Sequence, residues 1–275
     1  MVIRIWYDNA MGLRQERQQV DNGVGPATGT DECVLNPERL KGEPKLPPTG
    51  ILAVNPTDAR ALEQLAAKFG LKRHFLFHSR LYAGQEAGLF LAGPAVGAPM
   101  AVLCLEKLIG LGARNIILYG WCGSLVREIG VGDIVVPTGH LSEEGTSVHY
   151  PLSGETGPDH GLRLQLTSLL DRSDESWHGG RCWTTDAPYR ETRAKVRRYG
   201  ASGVKVVDME YSALCRVAAF RGVRLAAVFL VSDLLWQEPW KPGFVSRDFK
   251  QRSAGLLALL ASGLGHGVPM NPTKP

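Results

Sequence analysis

The sequence predicts a single-domain, three-layer α/β/α fold with a mixed, largely parallel central sheet, on three observations. From residue 50 onward short apolar runs alternate with segments of helical periodicity, the order that βα units produce. Several runs, NIILYG and RLAAVFLVSD among them, are apolar almost throughout, as strands covered on both faces are. The 275 residues are 44% hydrophobic, enough for a large core, and contain neither internal repeats nor low-complexity blocks.

Residues 1–49 are rich in Gly, Pro, Asn, Asp and Glu without sustained periodicity, and read as an irregular arm whose first 30 residues have the composition of a disordered segment. The folded domain spans 50–265, and 266–275 form a tail. ILAVN opens the domain as a strand; Thr57 is placed to cap a helix over 58–69, and Gly70 to end it. RHFLFHS and AGLFLAG read as strands, and GAPMAVLCLEKLIGLGA as a helix leading to strand NIILYG. Then come strand GDIVVPTG, a helix near 159–171, strand GGRCW, a helix over 189–199, strand VKVVD, a helix over 210–221, strand RLAAVFLVSD and a last helix within 248–262.

Composition excludes several classes. The formal net charge of +4 is scattered, with no basic block interleaved with aromatics, so no nucleic-acid partner is expected. The five cysteines (33, 104, 122, 182, 215) are far apart and form no C-x-x-C pair, against a disulfide framework and a zinc knot, and for a reducing, cytoplasmic setting. No apolar run reaches membrane-spanning length, the N-terminus lacks a signal-peptide core, and no His, Cys or carboxylate cluster has metal-ligand spacing.

In such folds ligands bind beyond the carboxyl ends of the strands. Five stretches qualify: NPTDAR (55–60), GPAVGAP (93–99), GWCGSL (120–125), DMEYSA (208–213) and SD (232–233). GWCGSL has the spacing of a nucleophile elbow, and the order Cys122, Asp208 or Asp233, His266 suits a cysteine hydrolase. The stretch after Cys122 is too short for the helix an elbow needs, so Cys122 reads better as a small residue in the floor of a pocket. Glu210 and Asp233 form a more coherent set. Cleavage of an N-glycosidic bond passes through an oxocarbenium-like sugar, which gains from an anion gripping the ribose hydroxyls and an acid protonating the departing base.

Taken in order, GAPMAVLCLEKLIGLGARNIILYGWCGSL, VGDIVVP, EEGTSVHY, TTDAPYRET, VVDMEYSAL and VSD resemble the nucleoside phosphorylase/uridine phosphorylase superfamily, which also holds the methylthioadenosine and adenosylhomocysteine nucleosidases. The resemblance runs from about Ile51 to Leu260 and implies a nucleoside phosphorylase-like fold. By it, Met209 and Glu210 hold ribose, and Asp233, after Ser232, is the acid for a purine-type base. Cys122 and Gly123 line the base pocket, with Tyr189 near its stacking wall. It also implies a small-molecule nucleoside as partner, a homo-oligomer (dimer or hexamer) and no cofactor, with inorganic phosphate as co-substrate if the reaction is phosphorolysis.

The acceptor side departs from the pattern. Arg60 matches one phosphate-binding arginine of the phosphorylases, but Leu118 stands at the other, Trp121 replaces a hydroxyl residue, and Pro56 replaces a glycine. Arg73, Arg80 or a neighbouring subunit could restore the charge, or Trp121 could fill the space and leave water as acceptor. The glutamate that activates water in the nucleosidases is also missing, Asp58 being the nearest carboxylate. Glu144 (beside Glu143), His149 and Arg247 are further candidates, each with a structural alternative. The expected function is cleavage of a purine or modified-purine ribonucleoside with phosphate or water as acceptor. The alternatives are a non-catalytic nucleoside-binding protein and the cysteine hydrolase.

Overall fold

The computed structural model describes residues 33–84, 87–240 and 242–265. The elements follow in order as β1 (Thr49–Ala53), α1 (Ala59–Lys68), β2 (Lys72–Leu76), β3 (Ser79–Ala83), β4 (Phe90–Gly93), α2 (Ala98–Leu111), β5 (Asn115–Ser124), β6 (Ile134–Glu143), α3 (His160–Arg172), β7 (Trp177–Thr185), α4 (Arg193–Ala201), β8 (Val204–Asp208), α5 (Tyr211–Arg221), β9 (Arg224–Leu234) and α6 (Arg247–Gly265).

The strands form one sheet in the order β2-β3-β4-β1-β5-β8-β7-β6-β9, and β9 returns to pair with β5. Strands β5, β8, β7, β6 and β9 thus close into a ring. Strand β5 runs parallel to β1 and β9 and antiparallel to β8. Alternation with period two divides the core between the two faces. Leu52, Ile116, Leu118, Ala227 and Phe229 pack beneath α2 and α5, while Ile51, Ile117, Tyr119, Ala226 and Val228 pack beneath α1, α3 and α6. That is the expected three-layer arrangement. Arg221 of α5 forks onto the Glu106 carboxylate of α2 at 2.8–2.9 Å and ties the two helices of one face together.

Four local expectations are corrected. RHFLFHS is not one strand: Phe77 takes a left-handed φ of 50° and turns the chain, so β2 and a second strand, β3, form a hairpin. Thr57 does not cap α1. The Asn55 side chain accepts from Thr57 N at 2.8 Å and starts a 3-10 turn over Pro56–Asp58 that leads into the helix. The helix expected from 189 begins at Arg193, where the Thr192 hydroxyl accepts from Lys195 N. Finally, GWCGS does not lie beyond its strand but forms the last five residues of β5, carried past NIILY with a bulge between Cys122 and Gly123. The arm from 33 to 48 has no regular element, yet it packs on the domain. Leu46 is buried and donates to Leu111 O at 2.9 Å, and Lys107 pairs with Glu43. Residues 1–32, 266–275 and His266 with them lie outside the described residues.

Candidate active site

The carboxyl ends of β1, β5, β8 and β9 open into one cavity of about 770 Å³. Its walls are Val54–Thr57 after β1, Trp121–Gly123 at the end of β5, Val207–Glu210 at and after the end of β8 and Ser232–Asp233 at the end of β9, with Pro188, Tyr189, Glu191, Arg193, Gln237, Trp240 and Phe244 from the segments after β7 and β9. Gly123 registers with Val207 of β8 on one side and Asp233 of β9 on the other. Glu210 and Asp233 therefore flank β5 from two strands that lie roughly 9–10 Å apart, two strand spacings, which leaves room for a sugar and its aglycone between them.

Glu210 is 4% exposed, and its Oε1 accepts from Gly97 N at 2.6 Å, where φ of +81° at the start of α2 favours glycine. Burial, then the neighbouring Asp208 charge, pushes its carboxyl well above the usual range. Asp208 is fully engaged. Its Oδ1 accepts from Thr184 Oγ1 (2.6 Å) and Cys182 Sγ (3.4 Å), and its Oδ2 from the backbone N–H of Glu210 (3.0 Å) and Tyr211 (2.6 Å). It caps α5 and fixes the main chain of Glu210. Asp233 accepts from Ser232 Oγ at 2.6 Å and from Trp240 Nε1 at 2.9 Å, one donor on each carboxylate oxygen.

Glu191 is the residue that the sequence did not single out. It is half-buried in the cavity wall, its carboxylate has no hydrogen-bonding partner among the described residues, and burial, then the Asp233 charge, pushes it up to about 7. Below about pH 7 this carboxyl therefore tends to keep its proton. The motif TTDAPYRET contains Glu191, but nothing in its spacing says that the loop folds back towards the end of β9.

Met209, Cys122, Gly123, Ser232, Trp121 and the exposed Tyr189 all line the cavity with the two acids. The glycines of GWCGS make room for protein rather than for a ligand. A Cβ on Gly120 would stand 2.7 Å from Val54 Cγ2, and one on Gly123 would stand 2.9 Å from Leu235 Cδ1. Cys122 is 3% exposed, with burial and the charges of Asp208 and Asp233 holding its thiol far above the usual range. No helix follows it, so the nucleophile reading fails on geometry and on protonation alike.

Other candidates lie elsewhere. Arg60 and Arg247 are exposed and outside the cavity lining, as is Arg73 on β2; Arg80 is half-buried, pairs with Glu63 and also lies outside the lining. His149 is exposed in a 3-10 turn. Glu144 is buried outside the cavity and accepts from Ser142 Oγ, Thr146 N, Ser147 N and Ser212 Oγ. Burial opposes its charge, but the Ser147 and Ser142 donors outweigh that and hold it below the usual range. Through Ser212 it orders the first turn of α5. Asp58 also faces away from the cavity: its Oδ1 accepts from Ser253 Oγ at 2.8 Å, its Oδ2 is buried without a partner, and burial pushes the carboxyl up to about 6. Ser253 Oγ in turn accepts from Trp121 Nε1 at 2.8 Å, which pins the indole at the cavity wall. No group of His, Cys, Asp and Glu among the described residues has the arrangement of a metal site, and no described helix is long and apolar enough to cross a membrane.

Residues 48–262 match the phosphorylase superfamily. A guanosine phosphorylase of Halorubrum lacusprofundi is 30% identical over 164 residues, 59% of this chain and 67% of that protein. A uridine phosphorylase of Salmonella typhimurium is 24% identical over 196 residues, 64% of this chain and 78% of its own. Among solved structures, a purine nucleoside phosphorylase from Toxoplasma gondii bound to immucillin-H superposes with a TM-score of 0.71 at 18% identity, covering 81% of this chain and 92% of that one. With that match over most of the chain, and two carboxylates presented from either side of β5 into one cavity, the chain belongs to the phosphorylase superfamily and is an enzyme.

Proposed function

We propose that the protein cleaves the N-ribosyl bond of a purine or modified-purine ribonucleoside. The observation that carries the reading is that Glu210 and Asp233, delivered by different strands on either side of β5, line one cavity. In this reading Glu210 and Met209 hold the ribose, and charge developing on the sugar is stabilised by carboxylates in a partly dry site. The base lies towards Ser232, Asp233 and Glu191. A purine leaves with charge on its ring nitrogens and gains from a proton there, which in this reading the Asp233 and Glu191 carboxyls, both lining the cavity, deliver. A carboxylate with no protein partner also suits a base that presents ring or exocyclic N–H groups, which supports a 6-oxopurine such as guanine. The superfamily relatives that act on guanosine and on other purine nucleosides are consistent with that choice.

Incubation with guanosine, inosine, adenosine and uridine, followed by chromatography of the free bases, tests the reading. Purine release is expected, with uridine the poorest substrate. Asp233→Asn is expected to lower turnover by roughly 10²–10⁴ on a base that needs protonation. An unchanged rate would remove Asp233 from the mechanism, and preferential release of uracil would overturn the purine assignment.

A further inference from the structure

Asp233 stands at the end of β9, and the chain that follows comes back to it. Pro242 pairs with Asp233 in an isolated antiparallel bridge, and Gly243 is pressed so close that a Cβ there would stand 2.8 Å from Ser232 O. Two residues before the bridge, Trp240 lays its indole on the carboxyl, Nε1 donating to Oδ2 at 2.9 Å. The ring is held from behind. It packs against Phe244 at 6.3 Å between centroids, Phe244 stacks on Trp121 at 6.2 Å, and Trp121 Nε1 is anchored on Ser253 Oγ. Glu238 pairs with Arg193 and ties the same segment to the start of α4. The two side chains on the Asp233 carboxyl differ in kind. The Ser232 hydroxyl, 2.6 Å from Oδ1, can give its hydrogen to the carboxylate, or turn it to Cys122 O at 3.1 Å and accept instead. The indole N–H can only donate. Oδ2 is therefore always an acceptor towards Trp240. In the neutral acid the carbonyl-type oxygen is the better acceptor, so the indole favours the proton on Oδ1, beside Ser232.

We propose that Trp240 is a positioning residue for N-ribosyl cleavage: its indole N–H keeps the proton of Asp233 on Oδ1, facing the departing base, and stabilises the carboxylate left behind. The proposal rests on the nucleoside-cleaving function proposed above and adds a residue to it. As the C1′–N bond breaks, its electron pair goes to the purine, a ring nitrogen takes the proton from Oδ1, and the ribosyl group passes to an oxygen nucleophile, phosphate or water. Asp233 ends as an anion, with Trp240 donating to Oδ2 and the Ser232 hydroxyl turned back from Cys122 O onto Oδ1. A hydrogen bond to a charged oxygen is roughly twice as strong as one to a neutral oxygen, so the Trp240 bond tightens as the proton leaves. A bond that strengthens along the reaction lowers the barrier rather than merely holding the substrate.

The test compares the full chain with Trp240→Phe, which keeps a ring against Phe244 and removes the N–H. Trp240 is half exposed, so the change leaves the core untouched. Two substrates are used in phosphate buffer, with free base followed by chromatography: guanosine, whose base gains from a proton, and 7-methylguanosine, whose base is cationic in the nucleoside and leaves neutral without one. On guanosine kcat is expected to fall roughly 10- to 100-fold, the worth of one hydrogen bond to a charged group, with KM changed by no more than about twofold. On 7-methylguanosine the loss should stay within about threefold. An equal loss on both substrates would mean a merely structural role and overturn the proposal, as would an unchanged rate on guanosine. Asp233→Asn is measured beside it. A guanosine-selective loss in that variant but not in Trp240→Phe would leave nucleoside cleavage standing and remove Trp240 alone. No base released from either nucleoside by the parent chain would overturn both.

Discussion

Glu191, to which the proposed reaction gives a share in proton delivery, also carries a stability signature. Its folded pKa of about 7 lies above the ~4.3 of an unfolded glutamate, so the native state binds more protons over that window. The stabilising contribution is therefore fully present below the unfolded value and is lost as pH rises through the folded one. Glu191→Gln removes the dependence: between about pH 5 and pH 8 its melting temperature should gain on that of the parent. Melting curves that stay parallel across this range would place Glu191 in solvent. Ser253 makes a different case, because one hydroxyl serves Asp58, Tyr119 and Trp121. Ser253→Ala strands several buried polar atoms and is expected to cost roughly 1–3 kcal/mol, read as a lower denaturant midpoint. It should also loosen the Trp121 ring, visible as a change in tryptophan fluorescence.

At the scale of elements, strong periodicity was legible and its exceptions were not. The helices with apolar stripes and the strands of unbroken Ile, Leu and Val lie where the pattern puts them. Strand β3 was missed because SRLYA is too short and mixed to stand out, and because the turn before it uses Phe77 at a positive φ rather than a glycine. GWCGS was placed beyond its strand because its glycines interrupt the apolar run. They are instead strand residues whose missing side chains admit Val54 and Leu235. Gly123→Ala should accordingly overpack against Leu235 and Val207, costing roughly 1–3 kcal/mol, with the smaller figure if the Leu235 side chain yields. Equal denaturation midpoints for this variant and the parent would mean that the bulge in β5 absorbs the extra methyl.

At the scale of the whole molecule, the α/β rule that places chemistry beyond the carboxyl ends of strands brought Glu210, Asp233, Met209, Ser232 and Cys122 into one list, and all five line one cavity. That much could be read because the strands announced themselves. Glu191 could not, since its place depends on how a loop after β7 returns across the sheet. Neither could the outward position of Arg60 and Arg247, which share a stretch of sequence with the site but not its interior. Because β5 stands between β8 and β9 in a closed ring, the separation of the two acids follows from the repeat of the sheet rather than from any flexible segment. The loops at 188–193 and 237–244 are free to diverge. Exchanging their other residues while keeping Glu191 and Trp240 would, under the proposed reaction, alter which ring is accepted, so new specificities could be drawn from this scaffold without rebuilding its chemistry.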